Sequence, residues 1–153
     1  MIPESEFIEE TITVRDMRLP SDVTLTKRSL IRWIALSLGL INPNESRKSL
    51  IYLIEILFDN QLKNSTGISV EQIMEKVSKN KDIEKSFTEK TVRYHLLRLE
   101  KKGFVKRKNV YYSLCVSDFS NDSIENVIDE YVIRQNKAME KVKIALTKLK
   151  GLY

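Results

Sequence analysis

Residues Ser86–Leu114 read SFTEKTVRYHLLRLEKKGFVKRKNVYYSL, and three signals within them decide the fold. Val92, Leu96 and Leu99 recur at i, i+4 and i+7, which is the buried stripe of an amphipathic helix. Ser86-Phe-Thr-Glu89 has the form of a capping box, with Thr88 as an alternative cap two residues later, so the helix starts there and runs to about Lys102. Gly103 then offers the left-handed conformation that closes a helix. Phe104-Val105 opens a strand that turns at Lys108-Asn109 and returns as Val110–Leu114. The order expected is helix, glycine stop, short basic hairpin.

Charge gathers on the same unit. Between Ser86 and Val110 stand eight basic residues against Glu89 and Glu100, a net of +6 in a chain whose total is +5, so everything else sums to −1. Such concentration on one supersecondary unit is the electrostatic footprint of a polyanion-binding element. The buried stripe fixes which side chains face out: Lys90, Thr91, Arg93, Tyr94, Leu97, Arg98 and Lys101, with Lys102 following at the helix end. The early ones lie where a helix presents side chains to major-groove base edges. Arg93 and Arg98 have the guanidinium geometry for a bidentate guanine contact, Thr91, Tyr94 and Leu97 suit a base edge, a thymine methyl or a phosphate, and Lys101 and Lys102 suit the backbone. Arg107, Lys108 and Asn109 form the hairpin tip, short enough to add affinity at a phosphate or minor-groove edge without wrapping far. Taken singly, basic residues on a helix face are commonly just solvated; their joint placement argues for DNA. His95, next to the buried stripe, reads as a hydrogen-bonded anchor, and of Tyr111 and Tyr112 one should enter the core while the other faces out.

Upstream, an acidic segment of residues 1–25 holds one alternating run, Thr11–Val14, that could form a short strand before Pro20. Thr26 caps a strongly apolar helix through Leu40, which Asn42-Pro43-Asn44 ends, and a second helix runs from Glu45 to about Lys63. Gly67-Ile68 is briefly extended, and the capping box Ser69-Val-Glu-Gln72 launches a helix to about Lys79. A polar connection, Asn80–Lys85, leads to the unit described above. At the other end, Asn121–Leu149 reads as one helix. Ile124, Ile128, Tyr131, Gln135, Ala138, Val142, Ala145 and Leu149 recur alternately at three and four residues, widened by Val132, Met139 and Leu146. Some 29 helical residues would span about 43 Å, longer than a small domain, which favours a two-fold coiled-coil contact over packing on its own chain alone. Gln135 is the kind of polar interruption that fixes register.

Composition narrows the function classes. At 153 residues and 42% hydrophobic, the chain has material for one substantial core. The opening residues do not resemble a secretory signal, and the longest apolar run, Leu30–Ile41, is broken by Arg32 and falls short of the roughly 20 residues a membrane span needs. A cytoplasmic protein without membrane contact is expected. Cys115 is the only cysteine and His95 the only histidine, while the glycines at 39, 67, 103 and 151 form no phosphate-cradling loop. No catalysis, metal or cofactor is therefore expected.

Thr91-Val92-Arg93-Tyr94-His95-Leu96, followed by Leu99-Glu100-Lys101-Lys102-Gly103-Phe104-Val105, resembles the recognition-helix signature of bacterial and archaeal winged helix-turn-helix transcription regulators. TKRSLIRWIALSLGLINPNESRKSL, residues 26–50, together with heavy Lys, Ile and Asn usage, is similar to archaeal regulators such as those controlling archaellum genes. The residues and the resemblance together lead to the expectation of a mostly α protein with a small β-hairpin (α+β): an acidic segment over 1–25, a winged helix-turn-helix domain with a scaffold helix over 26–118, and a dimerisation helix over 119–153. The resemblance implies a protein that binds double-stranded DNA sequence-selectively and regulates transcription, with the basal transcription machinery as a further partner, and the carboxy-terminal stripe makes a homodimer the expected form. Two rivals remain from the residues alone: a winged helix used as a protein-interaction module in a transcription or chromatin assembly, and an RNA binder. The acidic segment and the carboxy-terminal helix are outside the shared motif.

Overall fold

The structure, a computed structural model, describes residues 1–64, 66–80, 87–116 and 124–153. Helix α1, Lys27–Ser37, starts at Thr26, whose Oγ1 accepts from the Ser29 amide at 3.2 Å. It stops earlier than the expected Leu40. Gly39 takes φ +69°, and the amides of Gly39 and Leu40 donate back to Leu36 and Ala35 in a Schellman pair of 3.2 and 2.8 Å. The glycine thus turns Leu40 and Ile41 out of the helix and into the core.

Helix α2, Lys48–Asn64, also starts later than the expected Glu45. Asn44 stands at φ +63°, and the Glu45 carboxylate accepts from both the amide and Nε of Arg47, at 3.1 and 2.9 Å, so these residues form a turn ahead of the helix. Leu50, Leu53, Ile54, Ile56, Leu57 and Phe58 make α2 the central core helix. Strand β1, Ile68–Ser69, leads into α3, Val70–Ser78, through the anticipated capping box: Gln72 N to Ser69 Oγ at 3.2 Å and Ser69 N to Gln72 Oε1 at 2.9 Å.

Helix α4, Glu89–Lys101, is capped by Thr88, whose Oγ1 accepts from the Thr91 amide at 3.1 Å. Thr88 is the alternative of the two expected caps; Ser86 of the expected capping box and positions 81–85 of the polar connection lie outside the described residues. Gly103, at φ +79°, closes α4 with a second Schellman pair, Gly103 to Glu100 at 3.0 Å and Phe104 to Leu99 at 3.1 Å. The chain passes directly into β2, Val105–Lys108, and back as β3, Tyr111–Leu114. The turn is one residue later than expected. Lys108 pairs with Tyr111, and Asn109, at φ +59°, turns the chain together with Val110. β1 adds to β3, giving an antiparallel sheet in the order β1-β3-β2, so the extended Gly67-Ile68 element joins the hairpin. Val92, Leu96 and Leu99 of α4 enter the same core as Phe104, Val105 and Leu114, and Phe58 meets Phe104 edge-on at 5.6 Å.

Thr11–Val14 forms no strand. The segment runs instead as a strap across the end of α1, where Arg15 donates to the carbonyls of Leu36 at 2.6 Å and Ile41 at 3.0 Å, and its amide to Ser37 at 2.7 Å. A guanidinium that satisfies carbonyls at a helix carboxy-terminus takes the place of a strand partner. Trp33 Nε1 donates to Arg18 O at 2.6 Å, holding the strap further along. Single 3-10 turns occupy Glu4–Phe7 and Val23–Leu25.

The carboxy-terminal helix begins later than Asn121. Residues 121–123, like the 118/119 boundary, lie outside the described residues; Ile124–Ile128 is a 3-10 turn, and helix α5 runs over Asp129–Gly151, past Leu149. Val127 and Tyr131 are buried in the common core and Ile124 packs on it, so the first turn of α5 belongs to its own chain. Every residue from 136 to 153 is exposed. Among the described residues, no helix is long and apolar enough to cross a membrane.

Candidate nucleic-acid interface

The outer face of α4 carries Lys90, Arg93, Tyr94, Leu97 and Lys101, all exposed, with Tyr94 and Leu97 more than half so. Arg98 is half-buried, its guanidinium 5.7 Å from the Tyr94 ring centre, a cation–π spacing that braces the tyrosine. Arg93 is engaged by Glu89 one turn earlier. Thr91 is half-buried and its hydroxyl lies 2.8 Å from that of Thr88, so it is part of the helix cap.

Lys102 corrects the sequence expectation. Its ammonium is drawn inward to donate to Gly39 O at 2.5 Å, tethering the end of α4 to the end of α1. Burial, assisted by the charges of Arg98 and Arg15, pushes its pKa below the usual lysine range. It joins two helices and is not an open backbone contact.

The hairpin tip stands beside α4. Arg93, Arg107 and Tyr111 line one groove of about 210 Å³, which places the helix face and the wing on a continuous surface. Arg107 Nε donates to Asn109 O at 2.8 Å and its guanidinium lies 5.7 Å from the Tyr112 ring, so the tip is braced; Lys108 and Asn109 are exposed. Tyr112 enters the core and Tyr111 faces out, as the strand alternation requires. Val110, exposed at the turn, was not foreseen as part of the tip.

His95 is buried, but not as the hydrogen-bonded anchor expected: among the described residues neither ring nitrogen has a hydrogen-bond partner. Burial pushes its pKa below the ordinary 6.5, and the charges of Arg47 and Arg98 add to that. Arg47, held by Glu45 and electrostatically coupled to Tyr94, is a basic residue on this flank that sequence reasoning missed. It belongs to a turn, so no periodicity marks it. Of the residues expected on the dimer seam, Tyr131 is core, Ile124 and Gln135 are half-buried, and Ile128, Ala138, Val142, Ala145 and Leu149 are exposed.

Residues 51–113, from α2 to the wing, match the family model of the ribonuclease R winged-helix domain. The fold is a winged helix. The helix, strand, helix, helix, hairpin order and the three-stranded antiparallel sheet agree with it. The matched winged helix is that of a ribonuclease and not of a transcription regulator, and it spans less than half of the chain. No curated protein matches the chain, and no solved structure does. The winged helix here is extended at both ends, by the strap over α1 and by α5.

Proposed function

We propose that the protein binds duplex DNA with α4 in the major groove and the β2–β3 wing on the backbone, and that it regulates transcription as a homodimer. The observation that carries this reading is the shared groove of Arg93, Arg107 and Tyr111, which unites a base-reading helix face with a basic wing. Arg93 and Arg98 are the base readers; Lys90, Lys101, Arg107 and Lys108 neutralise phosphates. The exposed apolar stripe of α5, Val142, Ala145, Leu146 and Leu149, supports pairing with a second copy, which would set two recognition helices on half-sites one helical turn or a multiple apart.

Two experiments test the reading. A salt titration of duplex binding should show a log-log slope near −4 to −5 for about five phosphate contacts. A flat slope, or no binding at low salt, favours instead a protein-interaction module. Selection of bound duplexes from a random pool should return a symmetric motif. The match to a ribonuclease's winged-helix domain favours RNA as a second reading, and exposed Tyr94 and Tyr111 could stack bases. Single-stranded RNA that outcompetes duplex DNA would establish it.

A further inference from the structure

The acidic strap has no part in the reading above, yet its carboxylates have specific partners. Glu9 accepts from Lys141 Nζ at 2.9 Å, and Glu10 lies 3.5 Å from Arg134. Strap residues Glu9–Thr13 wall a cleft of about 440 Å³ whose other side holds Arg98, Lys101, Lys102 and Arg134. Arg134 Nη1 donates to Lys101 O at 2.9 Å, so the basic end of α4 abuts α5. From there Arg134, Lys141 and Lys148 recur every seven residues along one side of α5, with Lys137 one turn from Lys141. Only Glu140 supplies an acidic side chain between Arg134 and Gly151.

We infer that this ridge, running from Lys101 along Arg134, Lys137, Lys141 and Lys148, is a second contact for the duplex phosphate backbone, occupied by Glu9 and Glu10 in the free protein. The inference rests on the duplex-binding reading and extends it beyond the winged helix. Glu9 shows that a negative group is favoured there: the Lys141 hydrogen bond and charge, with that of Lys137, hold its carboxyl below the usual range. Helix α5, 23 residues long, spans about 35 Å at 1.5 Å per residue. That is about one further turn of B-form duplex. When DNA reaches the ridge, the strap carboxylates are displaced from Arg134 and Lys141 while Arg15 keeps the strap fastened to α1. The strap thereby acts as an internal competitor that lowers affinity for duplexes long enough to reach the ridge.

The test compares the full chain, Glu9→Gln/Glu10→Gln and Lys137→Gln/Lys141→Gln/Lys148→Gln on duplexes of about 12 and about 40 base pairs, measuring affinity against salt. Removing three phosphate contacts should flatten the log-log slope by about 3 on the long duplex and leave the short one unchanged. The strap variant should bind the long duplex several-fold tighter. If both variants match the wild-type chain on the long duplex while the short one still binds, the ridge is wrong and the duplex reading stands. If the wild-type chain binds neither duplex at low salt, both fall.

Discussion

Arg93 is held by Glu89: its Nε and Nη2 both donate to the same Glu89 carboxylate oxygen, at 3.1 and 2.8 Å. The pair is exposed, so it orients the guanidinium without adding much stability. It leaves Arg93 extended along the outer face of α4, to be released or shared when a base edge arrives. Arg93→Ala should cost about 1–3 kcal/mol against the preferred base and blur selection at that position, whereas Lys108→Ala should weaken all duplexes alike and lower the salt slope by about 1. Glu89→Gln should tighten binding to every duplex by removing a negative charge from the face. Affinities on a selected and a random duplex give all three; equal losses on both duplexes for Arg93→Ala would remove it as a base reader.

Two glycines end helices at positive φ, and their surroundings rank the cost of a side chain. At Gly39 an added Cβ would stand 2.5 Å from Thr13 Cβ in the strap, whereas at Gly103 it would meet the end of the flexible Arg134 side chain at 2.8 Å. Both substitutions to alanine incur the left-handed penalty of about 1–2 kcal/mol. Gly39→Ala should cost more than Gly103→Ala, because the strap must move and the Lys102 to Gly39 tether shifts with it. Chemical denaturation of the two variants checks the order.

The buried His95 ring makes stability depend on pH. Its folded-state pKa lies below the ordinary 6.5, so the folded protein favours the neutral ring. The unfolded chain takes up the proton first as pH falls, and stability present above about 6.5 is progressively lost from there down towards the folded value. The arginines at Arg47 and Arg98 act in the same direction as burial, and Glu45 opposes them. His95→Leu should flatten the stability profile between pH 7 and the onset of carboxylate titration; a profile as steep as that of the wild-type chain would assign the loss to other groups.

Much of the winged helix was legible because its signals are local. A capping box, a stripe at i, i+4, i+7 and a glycine before alternating strands each act within a few residues, and α3 and α4 stand where those signals put them, with the hairpin turn one residue later. The errors share a cause. Gly39 was outweighed by the apolar run around it, Thr11–Val14 had strand alternation but no strand to pair with, and Lys102 looked solvated until α1 placed a carbonyl beside it. Each depended on a partner distant in sequence. Glu9 and Glu10 were invisible to periodicity for the same reason, Arg47 because it lies in a turn beside its partner Glu45, and Tyr131 shared one stripe with residues that stay exposed because the helix passes from core to solvent along its length.

That passage locates the dimer test. Removing all of α5 would strip Tyr131 from the core and unfold the domain along with any interface. Val142 and Leu149 lie beyond the core, about half exposed, on the 3-4 repeat that Ala138 and Ala145 continue. Their pairing with a second copy would bury an apolar stripe that a lone helix leaves in water. Arg134, Lys141 and Lys148 flank that stripe on one side and Met139 and Leu146 on the other. A parallel pair lays lysine stems against apolar neighbours, while an antiparallel pair sets lysine against lysine. Val142→Glu/Leu149→Glu should therefore sediment as a monomer at concentrations where the wild-type chain is a dimer, with the winged helix still folded by circular dichroism. A variant that remains dimeric would move the interface to another face, and with it the expected half-site spacing.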